Sequence, residues 1–145
     1  VMVCFLPAYV TEADRKYGEQ AKTERDHLVE RHGEAPEPVY AGMAEWRRTH
    51  PDPNAASLSD VADHFDHLRK TIGVDHIGIG SDFDGFSGAV NGLEDVSKYP
   101  ALLAELLRRG YSKNDLKKIA GLNVLWALRG AERVARELQA AAPTK

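Results

Sequence analysis

The chain is poor in several features that would have pointed to a function at once. Cys4 is the only cysteine, so no disulfide can form within the chain. It stands in the apolar run Val1–Pro7 and reads as a buried small hydrophobe rather than a nucleophile. No apolar run is long enough to cross a bilayer, and no leader-type segment is visible. Basic residues are not in excess: the formal net charge is −3, which argues against a nucleic-acid partner held through phosphates. Internal repeats and low-complexity tracts are absent. The glycine-rich stretch Phe86–Gly92 lacks P-loop spacing and has no Lys-Ser/Thr pair. What remains is a 145-residue chain, 43% hydrophobic, with enough apolar material for a packed core.

The stretch Val74–Gly85 organises the rest. Ile77 and Ile79 alternate with Gly78 and Gly80, the period of a strand with one bulky face and one bare face. Asp82 and Asp84 follow where the strand stops. Upstream, Val1–Pro7 is a continuous apolar run of the kind found in parallel strands covered on both faces. It has no polar lead-in and no initiator methionine at position 1, so the chain is expected to be the C-terminal part of a larger protein.

Between these strands lies a long excursion. Residues 11–50 are crowded with charge of both signs; Thr11 reads as a helix cap and Gly33 as a stop. Pro36 and Pro38 are expected to break the pattern before a short helix over 39–48, with Tyr40, Met43 and Trp46 or Arg47 along one side. Ser57–Ile72 is the clearest helix. Ser57 and Asp60 have capping-box spacing, Leu58, Val61, Phe65, Leu68 and Ile72 form one stripe, and Gly73 closes it. Strand, helix, strand makes a parallel crossover, expected right-handed. In such folds ligands bind at the carboxyl ends of the strands. The excursion leaves from the carboxyl end of the first strand and Asp82 stands at that of the second, so both are expected on the ligand face. The remainder reads as helices: Leu102, Leu103, Leu106 and Leu107 as a core stripe, Ser112 and Asp115 as a second capping box, and Asn123 as the cap of a last helix carrying Leu125, Leu128, Val134 and Leu138. Residues 140–145 are expected to fray.

Asp82 is the leading candidate for chemistry, because a carboxylate at a strand end can take a proton from an activated water and return it to a leaving group. Asp84 is a second candidate for such a role, and for both the alternative is a carboxylate that caps the turn. A calcium loop fits poorly, since Phe86 and Ser87 stand where a ligand and a glycine are needed. His64 and His67 lack the i, i+4 spacing of helical zinc ligands. His64 falls at the edge of the buried stripe and His67 on the solvent side. His76 reads as structural, and His27, His32 and His50 as exposed. Tyr9 either roofs the core or binds substrate beside Asp82.

The run Gly78-Ile79-Gly80-Ser81-Asp82-Phe83-Asp84-Gly85 resembles the membrane (renal) dipeptidase family. The resemblance continues through Gly92–Pro100, Leu103–Arg109 and Gly121–Leu125, and upstream through Val61–His67 and Val1–Phe5. It implies an α/β fold: the C-terminal portion of a (β/α)8 barrel of the amidohydrolase type, contributing two parallel strands plus helices. Residues 1–145 would be a single partial domain and 11–54 a helical insertion on the active-site face, least covered by the resemblance. It further implies a binuclear zinc enzyme that hydrolyses dipeptides with a metal-activated water. Asp82 would handle the proton, Tyr9 would help hold the substrate, and the Gly85 amide would bind the dipeptide carboxylate. The family's zinc ligands and its substrate-binding arginine have no counterpart here, so this chain is expected to contribute no metal ligand and, alone, to be inactive. A complete barrel takes about 250 residues. A different class of function stays open: a non-catalytic α/β remnant whose charged helices bind a protein. The excursion is as suited to an interface as to a lid, so a homo-oligomer stays open too.

Overall fold

The computed structural model describes residues 1–33, 35–52, 55–84 and 88–141. Among them the chain forms β1 (Met2–Cys4), α1 (Pro7–Val10), α2 (Glu12–His32), α3 (Pro36–Thr49), α4 (Leu58–Ile72), β2 (Gly78–Ser81), α5 (Tyr99–Arg108), α6 (Lys113–Lys117) and α7 (Asn123–Ala141). The fold is α/β: β1 and β2 pair in parallel and the rest is mostly helical. Met2 lies beside Gly78, Val3 beside Ile79 and Cys4 beside Ser81, with an irregularity between Val3 and Cys4. The expected strand is shorter than its apolar pattern, because Val74–His76 winds into a single 3₁₀ turn. The bare face of β2 is used by its own neighbour. A Cβ on Gly80 would stand 2.8 Å from Met2 Cβ, and one on Gly78 would stand 2.7 Å from Met2 Sδ.

The helix signals translate as read at four ends. Thr11 accepts the Asp14 amide at the start of α2, and Gly33, at φ 67°, follows its end. Ser57 and Asp60 form the capping box of α4, and Ser112 and Asp115 that of α6. The Ser57 hydroxyl holds the Asp60 carboxyl below its ordinary range. Phe65 and Val61 on α4 are fully buried and pack with Phe5, Ile77, Leu102 and Leu106 in the main core. Each such side chain contributes roughly 1.5–3 kcal/mol of burial. A smaller core of Leu28, Val39 and Met43 joins α2 to α3.

Four expectations need correction. The prolines do not break helix α3 but begin it, with Pro36 in its first turn, where the missing N–H costs nothing. The side of α3 that packs carries Val39 and Met43, while Tyr40 is 74% exposed. Asn123 does not cap α7: it already has helical backbone angles, the chain between α6 and α7 kinks at Gly121 (φ 162°), and the Asn123 side-chain amide donates to the Val74 and Ile77 carbonyls at the entrance of β2. The apolar residues of α7 are not core either. Val124, Leu125, Leu128, Val134 and Leu138 are all exposed, and Trp126 is 73% exposed. The part of the tail beyond Ala141 lies outside the described residues.

Candidate functional site

Asp82 leaves the carboxyl end of β2 on a left-handed turn. Its φ is 63° and that of Ser81 is 34°, the only non-glycine residues with positive φ among those described. Aspartate tolerates this region and serine does so less readily, so the turn needs support from its surroundings. That support is present on both sides. Ser81 is buried, and its hydroxyl shares a short hydrogen bond with the Tyr99 hydroxyl. Phe83 packs in an aromatic triplet: its ring centroid lies 6.0 Å from that of Phe5 and 6.2 Å from that of Tyr99, and Phe5 and Tyr99 lie 6.3 Å apart. Asp82 itself is exposed between two anchored neighbours. Among the described residues its side-chain hydrogen-bond partner is Cys4, whose thiol lies 4.0 Å from Asp82 Oδ2 and 3.8 Å from the Ser81 carbonyl. Cys4 is therefore half-buried at the strand end, not a fully buried hydrophobe.

The loop from Asp82 to α5 is shaped by its own acidic residues. Gly92 donates its amide to Glu94 at 2.7 Å, which holds that carboxyl below the usual range. Asp95 accepts the Ser97 amide and is lowered by the Ser97 contacts. These carboxylates build turns. The loop is then tied to the return of the excursion, because Leu58 donates to the Asn91 carbonyl and Asn91 to the Ala56 carbonyl, each at 2.8 Å. Asp14, 6% exposed, closes the base of the excursion: Oδ2 accepts the Ala56 amide at 3.0 Å and the Thr11 hydroxyl.

Tyr9 follows β1 at the end of the sheet from which Asp82 leaves β2, as parallel pairing requires. It is 71% exposed and so does not roof the core. Gly85 lies outside the described residues. His64 Nε2 is 2.9 Å from the Val10 carbonyl; a carbonyl only accepts, so Nε2 carries the proton and secures α1 to α4. His67, His27, His32, His50 and His76 are exposed. Among the described residues, no group of three or more His, Cys, Asp or Glu side chains could hold a metal ion. Sequence reasoning missed the anchors of the Asp82 turn. Ser81 gave a weak signal as a hydroxyl at the end of an apolar strand; Tyr99 gave none that linked it to Ser81 across 18 positions.

Comparison with known proteins gives a consistent result. The family model described as membrane dipeptidase (Peptidase family M19) matches residues 1–142. The chain is 56% identical over 87 residues to Dipeptidase aclJ of Aspergillus oryzae, covering 60% of this chain and 21% of that protein. It is 44% identical over 110 residues to Dipeptidase tcpJ of Claviceps purpurea, covering 76% of this chain and 26% of that protein. Among solved structures, the probable dipeptidase PvdM from Pseudomonas aeruginosa superposes with a TM-score of 0.58 at 28% identity, covering 87% of this chain and 35% of that one. The chain thus spans only 21% to 26% of the length of these two curated relatives.

Proposed function

Because this chain belongs to the membrane dipeptidase family, we propose that it supplies the proton-handling face of an enzyme that hydrolyses dipeptides. The observation that carries this reading is the Asp82 turn: an exposed carboxylate at a strand's carboxyl end, with Ser81 anchored on one side and Phe83 on the other. Peptide hydrolysis needs a group that accepts a proton from the attacking water and returns it to the leaving amine nitrogen. A carboxylate held in a supported, strained turn meets that need without reorganising. Tyr9 would steady the substrate from the neighbouring strand end, and the Gly85 amide would bind the dipeptide's carboxylate.

The binuclear zinc implied by the family finds no ligand set among the described residues. His64, the nearest candidate by sequence, is already committed to the Val10 carbonyl. We infer that the metal ligands lie on other parts of the family's fold, of whose length this chain spans 21% to 26% in two relatives. Residues 1–145 would form the C-terminal part of a (β/α)8 barrel, with 11–54 a helical lid on the active-site face. Two features support that assignment. A two-stranded sheet leaves an outer edge of each strand without a ladder partner among the described residues. In addition, α7 presents Val124, Leu128, Val134 and Leu138 at helical spacing, all exposed among the described residues. The remaining strands and helices of a barrel would cover both. The same exposed stripe suits a non-catalytic interaction module, and hydrolysis separates the two readings. The intact protein, supplied with zinc, is expected to release free amino acids from a dipeptide series. No release from any dipeptide would overturn the enzymatic reading.

A further inference from the structure

Where the excursion meets the strand ends there is a cleft of about 380 Å³. Leu6, Pro7 and Ala8, leaving β1, form one wall, and Gly88 and Ala89, from the loop after β2, form another. The third side is the α2–α3 pair, which brings Arg25 and Arg47 to the rim. These two arginines and Met43 also line a second hollow, of about 430 Å³.

Elsewhere on α2, Arg15 is taken by Glu12 and Glu19, and on α3 Arg48 is taken by Glu45. Arg25 and Arg47, like Arg31 at the end of α2, have neither an ion-pair nor a hydrogen-bond partner among the described residues, and of these three only Arg25 and Arg47 line the cleft. The other charged groups at the cleft are accounted for. Lys22 pairs with Asp26 at 3.0 Å, and Asp14 is committed to Ala56 and Thr11. Asp52 also lines the cleft, and its charge acts with burial to raise the pKa of Tyr17 while Arg47 opposes it. Tyr17 spends its hydroxyl on the His50 carbonyl. The unspent polar capacity of the cleft is therefore two guanidinium forks beside an apolar wall, an arrangement suited to a carboxylate on a short organic body.

The geometry points to a subsite in which Arg25 and Arg47 receive the acidic side chain of a substrate, giving the protein a preference for dipeptides containing Asp or Glu. This rests on the dipeptidase reading above, and the test separates the two. The intact protein is assayed with Ala-Glu and Glu-Ala against the isosteric Ala-Gln and Gln-Ala. In parallel, binding of N-acetylglutamate and N-acetylglutamine is followed by calorimetry, which needs no turnover. One charge-assisted contact is worth about tenfold. Wild type should favour the better-placed acidic dipeptide by about tenfold or more in kcat/KM. Arg25→Gln and Arg47→Gln should each remove most of that preference, lowering kcat/KM for the acidic dipeptides far more than for the glutamine ones, and raising the ionic strength should weaken it. Equal handling of Glu and Gln substrates by wild type, or an unchanged preference in both variants, would overturn the subsite. If no dipeptide is cleaved but N-acetylglutamate binds and is lost in the variants, the subsite stands and the dipeptidase reading fails. Arg25 and Arg47 are exposed, so neither change should disturb folding.

Discussion

The base of the excursion depends on one carboxylate, and removing it should release the whole segment. Asp14 Oδ2 accepts the amide of Ala56, a residue only 1% exposed, from 42 positions away. In Asp14→Ala that amide becomes a buried donor with no acceptor, at a cost of about 1–3 kcal/mol. The Thr11 hydroxyl keeps its capping contact with the residue-14 amide but loses the carboxylate it donates to. Relief from burying a charge offsets part of the loss, so the net expectation is about 1–3 kcal/mol, or a fall in Tm of roughly 2–4 °C per kcal/mol for a chain of this size. Asp14→Asn keeps an amide oxygen for Ala56 and should recover most of the deficit. Thermal unfolding of wild type and both variants gives the magnitudes. Limited proteolysis around residues 50–56 should quicken only in the alanine variant. Equal stability of Asp14→Ala and wild type, or an asparagine variant as weak as the alanine one, would refute the reasoning.

The strand pair and the acid-side stability offer further tests. Gly80→Ala places a Cβ 2.8 Å from Met2 Cβ and 3.2 Å from the Met2 carbonyl carbon, so backbone must move; a loss of about 1–3 kcal/mol is expected in chemical denaturation. Gly78→Ala meets only the flexible end of Met2 at 2.7 Å and should cost clearly less. Glu105 accepts from Arg108 and Arg109, and these bonds lower its pKa to about 2. A folded-state value below the unfolded one means that its stabilisation is full above the unfolded value of 4.5 and is lost as pH falls towards 2. Wild-type Tm should therefore decline through that window, and Glu105→Gln should decline less steeply; parallel curves would contradict the assignment.

What the sequence made legible was local. The capping boxes at Ser57 and Ser112, the stop at Gly73 and the amphipathic stripe of α4 each lie within a turn or two of chain, and all are present. The parallel pairing followed from element order and connection length, and Asp82 at the strand end followed from that pairing. What stayed hidden was held by distant partners. Nothing near Asp14 marked it as a buried clamp, because its partner Ala56 follows two helices later. The support of the Asp82 turn comes from Tyr99 and Phe5, on separate elements. Pro36 was ambiguous by nature, since proline stops a helix in its interior and starts one in its first turn. The apolar pattern of α7 correctly marked a helix, but its apolar residues are exposed, because a periodic pattern gives the helix and not its neighbours.

The central claim is that the Asp82 carboxylate moves the proton in dipeptide hydrolysis. Asp82→Asn keeps a side chain of the same shape that tolerates the left-handed turn, so fold and substrate affinity should persist. Steady-state kinetics of the intact, zinc-supplied protein and this variant on one dipeptide, with substrate binding measured separately, tests the claim most directly. The account predicts that kcat falls by about 10²–10⁴-fold with little change in substrate affinity. A variant that retains near wild-type kcat would contradict it.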